Sequence, residues 1–177
     1  IKPLSVTARA DGKIIVDMGQ NMVGWLGVSF NGRAGKPVTM RFAEILNPDS
    51  TLYTANLRSA RTTDIYTPAR DGAFEWHPTF TYHGFRYVEI DGLDYTPSTD
   101  DMTGYVIYDA MPTTGTFESS IPLLDRIHRN AYWGIRGNYR GMPTDCPQRD
   151  ERLGWTGDAQ VFIRTACLNF DAERFFT

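Results

Sequence analysis

The chain has 177 residues, room for one domain or for one domain and part of another, and 41% are hydrophobic, 22% charged and 13% aromatic. The formal net charge is −3, and residues 125–152 interleave six Arg with four acids, so no basic stripe marks a nucleic-acid footprint. No apolar run approaches the ~20 residues that span a bilayer.

Cys146 and Cys167 make no disulfide framework and read as buried or half-buried thiols. His77, His83 and His128 show no ligand spacing, so neither a metal site nor a cofactor is expected. The sequence opens on Ile, with no signal peptide, and closes on "DAERFFT", read as a helix start capped by Asp171. The chain is therefore expected to be a piece of a longer protein.

Strand signals fill the first two thirds. "KIIVDMG", "WLGVSFNG", "KPVTMRFAEIL", "RTTDIYTPA", "FEWHPTFTYHGFRYVEIDGL" and "TGYVIYDA" are short and rich in β-branched and aromatic residues. Asp11-Gly12, Asn31-Gly32, Asp71-Gly72 and Asp91-Gly92 are expected to form tight hairpin turns. In "FRYVEI", Phe85, Tyr87 and Glu89 alternate with Arg86, Val88 and Ile90, the pattern of a half-buried strand. These spacings predict an antiparallel sandwich.

The character then changes. "ESSIPLLDRIHRNAYWGIRGNYRG" places Ser119 or Ser120 at an N-cap and Pro122 in a first turn. Leu124, Ile127, Ala131, Ile135 and Asn138 follow at helical spacing, which predicts an amphipathic helix ending near Gly141. After Asp158, "AQVFIRTACLNF" is apolar almost all round, the mark of a helix enclosed by others. Two helices cannot enclose it, so further helices are expected beyond these residues.

Between them lies "PTDCPQRDERLGWTGDAQ". Its prolines and glycines break helical continuity and allow a folded loop that turns several carboxylates toward one point. A carboxylic acid that donates a proton near neutral pH needs a raised pKa. Charges of both signs flank Glu151, so the sequence leaves that balance open. Carboxylates, an Arg and a Trp can grip a sugar, with hydrogen bonds to its hydroxyls and an indole against its C–H face. The same residues have plainer readings. Asp158 suits an N-cap, Arg149 and Arg152 suit solvated partners of Asp150 and Glu151, and Trp155 suits core packing.

"DCPQRDERLGWTGDAQ" closely resembles the signature of bacterial α-L-rhamnosidases, glycoside hydrolase family 78. The preceding region, including "VDMGQNMVGWL" and "FTYHGFRYVEI", is similar to the β-sandwich domain beside their catalytic domain. The resemblance implies a mainly β chain with C-terminal α structure. An antiparallel β-sandwich is expected over 1–117 and the first helices of an (α/α)6 barrel over 118–177. It implies hydrolysis with inversion, a general acid at Glu151, and rhamnose hydroxyls bound by Asp145 and Asp158. Arg149 and Trp155 are expected to line the sugar pocket. No position here matches the family's downstream base, so the chain is expected to carry only the acid half of the machinery.

The implied partner is a rhamnose-containing carbohydrate, not nucleic acid or a membrane, and no sequence feature specifies compartment or oligomeric state. Other readings stand beside this one. The sandwich could be a non-catalytic sugar-binding module using Trp25, Trp76, Tyr82 and Phe85, although alternation in strands favours core positions for most of them. It could also be a buttress for the helices, or the chain could belong to another (α/α)6 glycosidase or a polysaccharide lyase.

Overall fold

The computed structural model describes residues 1–177. The chain divides into two compact units, one made of 1–106 with 148–150, the other of 107–147 with 151–177. The sequence placed the change of character at 117.

The first unit is all β. Strands β1 (Ser5–Ala8), β2 (Ile14–Gly32), β3 (Val38–Ala43), β4 (Thr63–Tyr66), β5 (Gly72–Trp76), β6 (His83–Asp91) and β7 (Met102–Val106) are joined in antiparallel pairs. The order is β1-β2-β6-β3-β4, with β5 and β7 also paired to β2. The two strands expected as "KIIVDMG" and "WLGVSFNG" are one 19-residue strand, β2. Hydrogen bonding thus links all seven strands into a single sheet rather than two separate ones. β2 changes partners along its length: β1 and β6 flank its first residues, while β7 and then β5 take its last.

The pivot is a bulge between Asp17 and Met22. Asp17 Oδ1 accepts the Gly19 N–H at 2.7 Å, and Gly19 adopts φ 72°, a conformation that favours glycine. The extra residues shift side-chain parity along β2. On β6, Phe85 faces one way and Val88 and Ile90 the other, yet all three are fully buried, so both faces of that strand are covered and not one, as the half-buried reading of "FRYVEI" expected. Phe85 is accordingly core and contributes to no exposed sugar platform. It packs edge-on to Phe42, on which the His83 ring stacks at 4.2 Å.

The Glu89 side chain is only 5% exposed. Arg9 and Lys13 reach its oxygens at 3.1 Å and Arg41 at 3.6 Å, so burial of this charge is compensated. Of the four expected hairpin turns, only Asp11-Gly12 joins paired consecutive strands, with Gly12 at φ 84°. Asn31-Gly32 lies within β2, Gly72 opens β5 and Asp91 closes β6.

The second unit holds α1 (Pro122–Asn138), α2 (Thr156–Asn169) and the short α3 (Glu173–Phe176). Pro122 opens α1 with Ile121 as N-cap; Ser119 instead accepts the Ile121 N–H at 3.1 Å. Asp158 is also not a cap, because α2 begins two residues earlier, after Trp155. Ala172 precedes α3, leaving Asp171 one residue outside the cap position.

Ile135, Tyr139, Ala166 and Phe170 form the core with Met111 and Ala172. The Tyr139 ring lies parallel to Phe175 at 4.6 Å. On α2, Val161 and Leu168 face solvent despite the helix's apolar circumference. Cys146 is half-buried, Cys167 is exposed against expectation, and neither is in a disulfide. No helix is long and apolar enough to cross a membrane.

Candidate active site

The segment joining α1 to α2 is folded back on itself. α1 stops when Tyr139 takes an extended backbone, and the left-handed Gly141, φ 69°, reverses the chain. Two one-residue bridges, Tyr139 to Pro143 and Thr144 to Gly154, close the loop. The Thr144 N–H and hydroxyl both donate to the Asn138 carbonyl at 2.8 Å, and the Trp155 N–H donates to Pro143 at 3.2 Å. Cys146 has φ 42°, a left-handed turn at a non-glycine residue, and it separates Asp145 from Pro147. Such strain persists where the surroundings over-determine the backbone.

This folding brings residues distant in sequence together. A cavity of about 720 Å³ lies between the loop and the two helices, lined by Asp145, Cys146, Trp155 and Asp158 with Asn138 and Tyr139. Asp158 is the third residue of α2, where a carboxylate is favoured by the helix N-terminus. Trp155, 43% exposed, offers its indole at the cavity. Burial raises the Tyr139 phenol above its ordinary value of 10.0, so it is neutral at physiological pH.

Asp145 Oδ1 is enclosed and accepts no hydrogen bond. One oxygen of Asp145, one of Glu151 and the Cys146 sulfur all lie within 4.8 Å of one another. These three donors are the chain's one grouping with the spacing to hold a cation, although the sequence led to no metal expectation. Arg149 is half-buried and falls, with Gln148 and Asp150, in the first unit, whereas Asp145, Glu151, Trp155 and Asp158 fall in the second.

Two contributors escape the sequence reading. Cys146 lies inside the signature but was read only as a thiol filling space. Ser59 donates its hydroxyl to Asp150, a contact across 91 positions that no local pattern announces.

The loop thus places an enclosed carboxylate oxygen beside a second carboxylate, and the cavity wall it shares also carries a half-exposed indole. Residues 7–108 match the bacterial alpha-L-rhamnosidase concanavalin-like domain. Residues 112–177 match the bacterial alpha-L-rhamnosidase 6 hairpin glycosidase domain. An alpha-L-rhamnosidase of Streptomyces avermitilis is 50% identical over 97% of this chain and 17% of its own length. One from Formosa agariphila is 48% identical over 97% of this chain and 19% of its own.

Among solved structures, the alpha-L-rhamnosidase of Dictyoglumus thermophilum superimposes with a TM-score of 0.96 at 42% identity, covering 99% of this chain and 20% of that one. The Streptomyces avermitilis enzyme complexed with L-rhamnose gives 0.95 at 48% identity, covering 99% and 17%. The chain belongs to the bacterial alpha-L-rhamnosidase family. It spans less than a fifth of the length of the two curated relatives above.

Proposed function

We propose that these residues form the acid side of the active site of an inverting α-L-rhamnosidase. In this reading 107–177 begins an (α/α)6 catalytic domain and 1–106 is the β domain before it. The observation that carries it is Asp145 Oδ1, enclosed without a donor on a cavity wall shared with Trp155 and Asp158. A buried acceptor left unpaired costs about 1–3 kcal/mol, and a sugar hydroxyl is the donor that would recover it. Asp158 takes a second hydroxyl, Trp155 covers a C–H face of the ring, and Arg149 adds hydrogen bonds from its guanidinium.

Glu151, next to Asp145, hands its proton to the glycosidic oxygen as the bond from that oxygen to the anomeric carbon breaks. Water attacks the opposite face of the sugar and gives its proton to a base. Asp145 is not that base. Its oxygen lies within 4.8 Å of Glu151, and an inverting pair needs roughly 6.5–9.5 Å to admit the water. The base is therefore a residue other than Asp145, and the products are free L-rhamnose and the alcohol it was joined to. Membership of the rhamnosidase family supports the choice of sugar.

The test is Glu151→Gln in the complete enzyme, assayed on an alkyl and on a dinitrophenyl α-L-rhamnoside. The alkyl substrate should lose activity by ~10²–10⁴-fold, while the dinitrophenyl substrate, whose leaving group needs no proton, should be far less affected. Equal rates for variant and wild type on both would remove Glu151 from the role.

A further inference from the structure

The signature loop does not belong wholly to the helical unit. Gln148, Arg149 and Asp150 pack into the β unit, and Glu151 follows them directly in the chain. Two features of the β unit hold this tripeptide. The Ser59 hydroxyl donates to Asp150 Oδ2, and that hydrogen bond is the foremost reason the Asp150 carboxyl is held below its ordinary range, with the Arg58 charge adding to it. At Gly84 of β6, a Cβ would stand 2.8 Å from the Gln148 Cβ and 3.0 Å from both its Cα and its backbone nitrogen. The backbone of Gln148 thus runs through the space that any other residue at position 84 would fill.

Ser59 is itself a fixed point. The 3-10 turn Ala55–Leu57 is plugged into the core by the buried Leu57. Arg58 then takes a left-handed backbone, φ 55°, and the Ala60 N–H donates to Leu57 at 3.0 Å. Nothing in the β unit's own packing requires a hydroxyl here; its partner is Asp150.

Resting on the assignment of Glu151 as the acid, we propose that Ser59 and Gly84 are positioning residues. They fix the 148–150 backbone, and through it the reach of the acid that follows. General-acid transfer demands a reach within a few tenths of an ångström, and displacement by ~1 Å can cost ~10²-fold. Asp145, Trp155 and Asp158 lie in the other unit, whereas Arg149, the middle residue of the tripeptide, is held by the same clamp.

The experiment compares Ser59→Ala, Ser59→Thr, Gly84→Ala and Glu151→Gln in the complete enzyme on the alkyl and dinitrophenyl rhamnosides. Inhibition by free L-rhamnose is measured alongside. Ser59→Ala and Gly84→Ala should lower kcat on the alkyl rhamnoside by ~10–100-fold and on the dinitrophenyl rhamnoside by less than ~3-fold. Affinity for free rhamnose should fall only as far as Arg149 shifts with the clamp, and Ser59→Thr, which keeps the hydroxyl, should recover most of the loss in both readouts.

Loss of equal size on both substrates, or no loss, would overturn the clamp provided that Glu151→Gln is itself selective for the leaving group. A non-selective Glu151→Gln would overturn the acid assignment, and the clamp's purpose with it. Should Gly84→Ala not fold, Ser59→Ala and its Thr counterpart decide alone.

Discussion

Asp17 and Arg86 face each other through two parallel hydrogen bonds, Nε to Oδ1 at 2.8 Å and Nη2 to Oδ2 at 2.9 Å, where β2 breaks step with β6. Asp17 Oδ1 also takes the Gly19 N–H, so one carboxylate fixes both the bulge and the strand opposite it. Without that bulge, β2 could not carry its first residues between β1 and β6 and its last against β7 and β5.

The Arg86 hydrogen bonds hold the Asp17 carboxyl below its ordinary value of 3.8, outweighing the opposing effect of burial. A carboxylate shifted down stabilises the fold at pH values above its unfolded pKa, and that contribution is lost as pH falls through the folded value. Asp17→Asn should therefore cost about 1 kcal/mol at pH 7, a modest figure because the guanidinium is partly solvated. The gap between wild type and variant should narrow once pH falls below about 3.8 and close further down. Urea denaturation across that range measures it; a gap that stayed constant into acid would remove the ion pair as its cause.

Much of this fold was legible. The strand segments, the change to helix after residue 118 and the loop between the helices follow from periodicity and from Pro and Gly placement. What was not legible is long-range. The fusion of two predicted strands into β2 depends on a bulge whose partner, Arg86, lies 69 positions away. The half-buried reading of "FRYVEI" failed because both faces of β6 are covered, which its own alternation does not reveal. The burial of Glu89 was not legible either, because Arg9 and Lys13 in the β1–β2 turn and Arg41 on β3 come to it from distant positions.

Within the candidate site, the motif itself supplied Asp145, Glu151, Trp155 and Asp158. It could not supply Ser59, because a serine in a loop carries no mark of the carboxylate it will meet. Helix starts were misread for a local reason. Ser119 and Asp158 are good capping types, but Pro122 and the turn after Gly154 set the starts at Ile121 and Trp155.

Two glycines in the β unit should respond very unequally to the same substitution. At Gly24, paired with Val106 across β2 and β7, a Cβ would lie 1.7 Å from the Tyr105 carbonyl oxygen, a backbone atom that cannot swing aside. Gly24→Ala must push β7 off its neighbour and should cost several kcal/mol, about 3–5. At Gly12, in the β1–β2 turn, nothing lies within 4 Å and only the φ of 84° is unfavourable, so Gly12→Ala should cost about 1 kcal/mol. Denaturation midpoints separate them. If Gly24→Ala were no worse than Gly12→Ala, the close approach of β7 to β2 would be incorrect.

The spacing of the paired carboxylates makes a stereochemical prediction. Oxygens of Asp145 and Glu151 within 4.8 Å of each other are too close to sandwich an attacking water, yet close to the ~5–5.5 Å of a retaining pair. The two roles for Asp145 have different products. As a ligand for a sugar hydroxyl, it leaves the anomeric carbon to water, and the first sugar released from an α-L-rhamnoside is the β anomer. As a nucleophile, it would be glycosylated and then hydrolysed, and the α anomer would appear first.

Proton NMR of the complete enzyme's products, read before mutarotation, decides between them, and the β anomer is expected. The 177-residue chain should then show no turnover of an aryl α-L-rhamnoside, because protonation of a leaving group without water activation on the far face completes only half of the displacement. Turnover by this chain, or initial release of the α anomer, would put Asp145 at the anomeric carbon and end the proposal that a distant base completes the site.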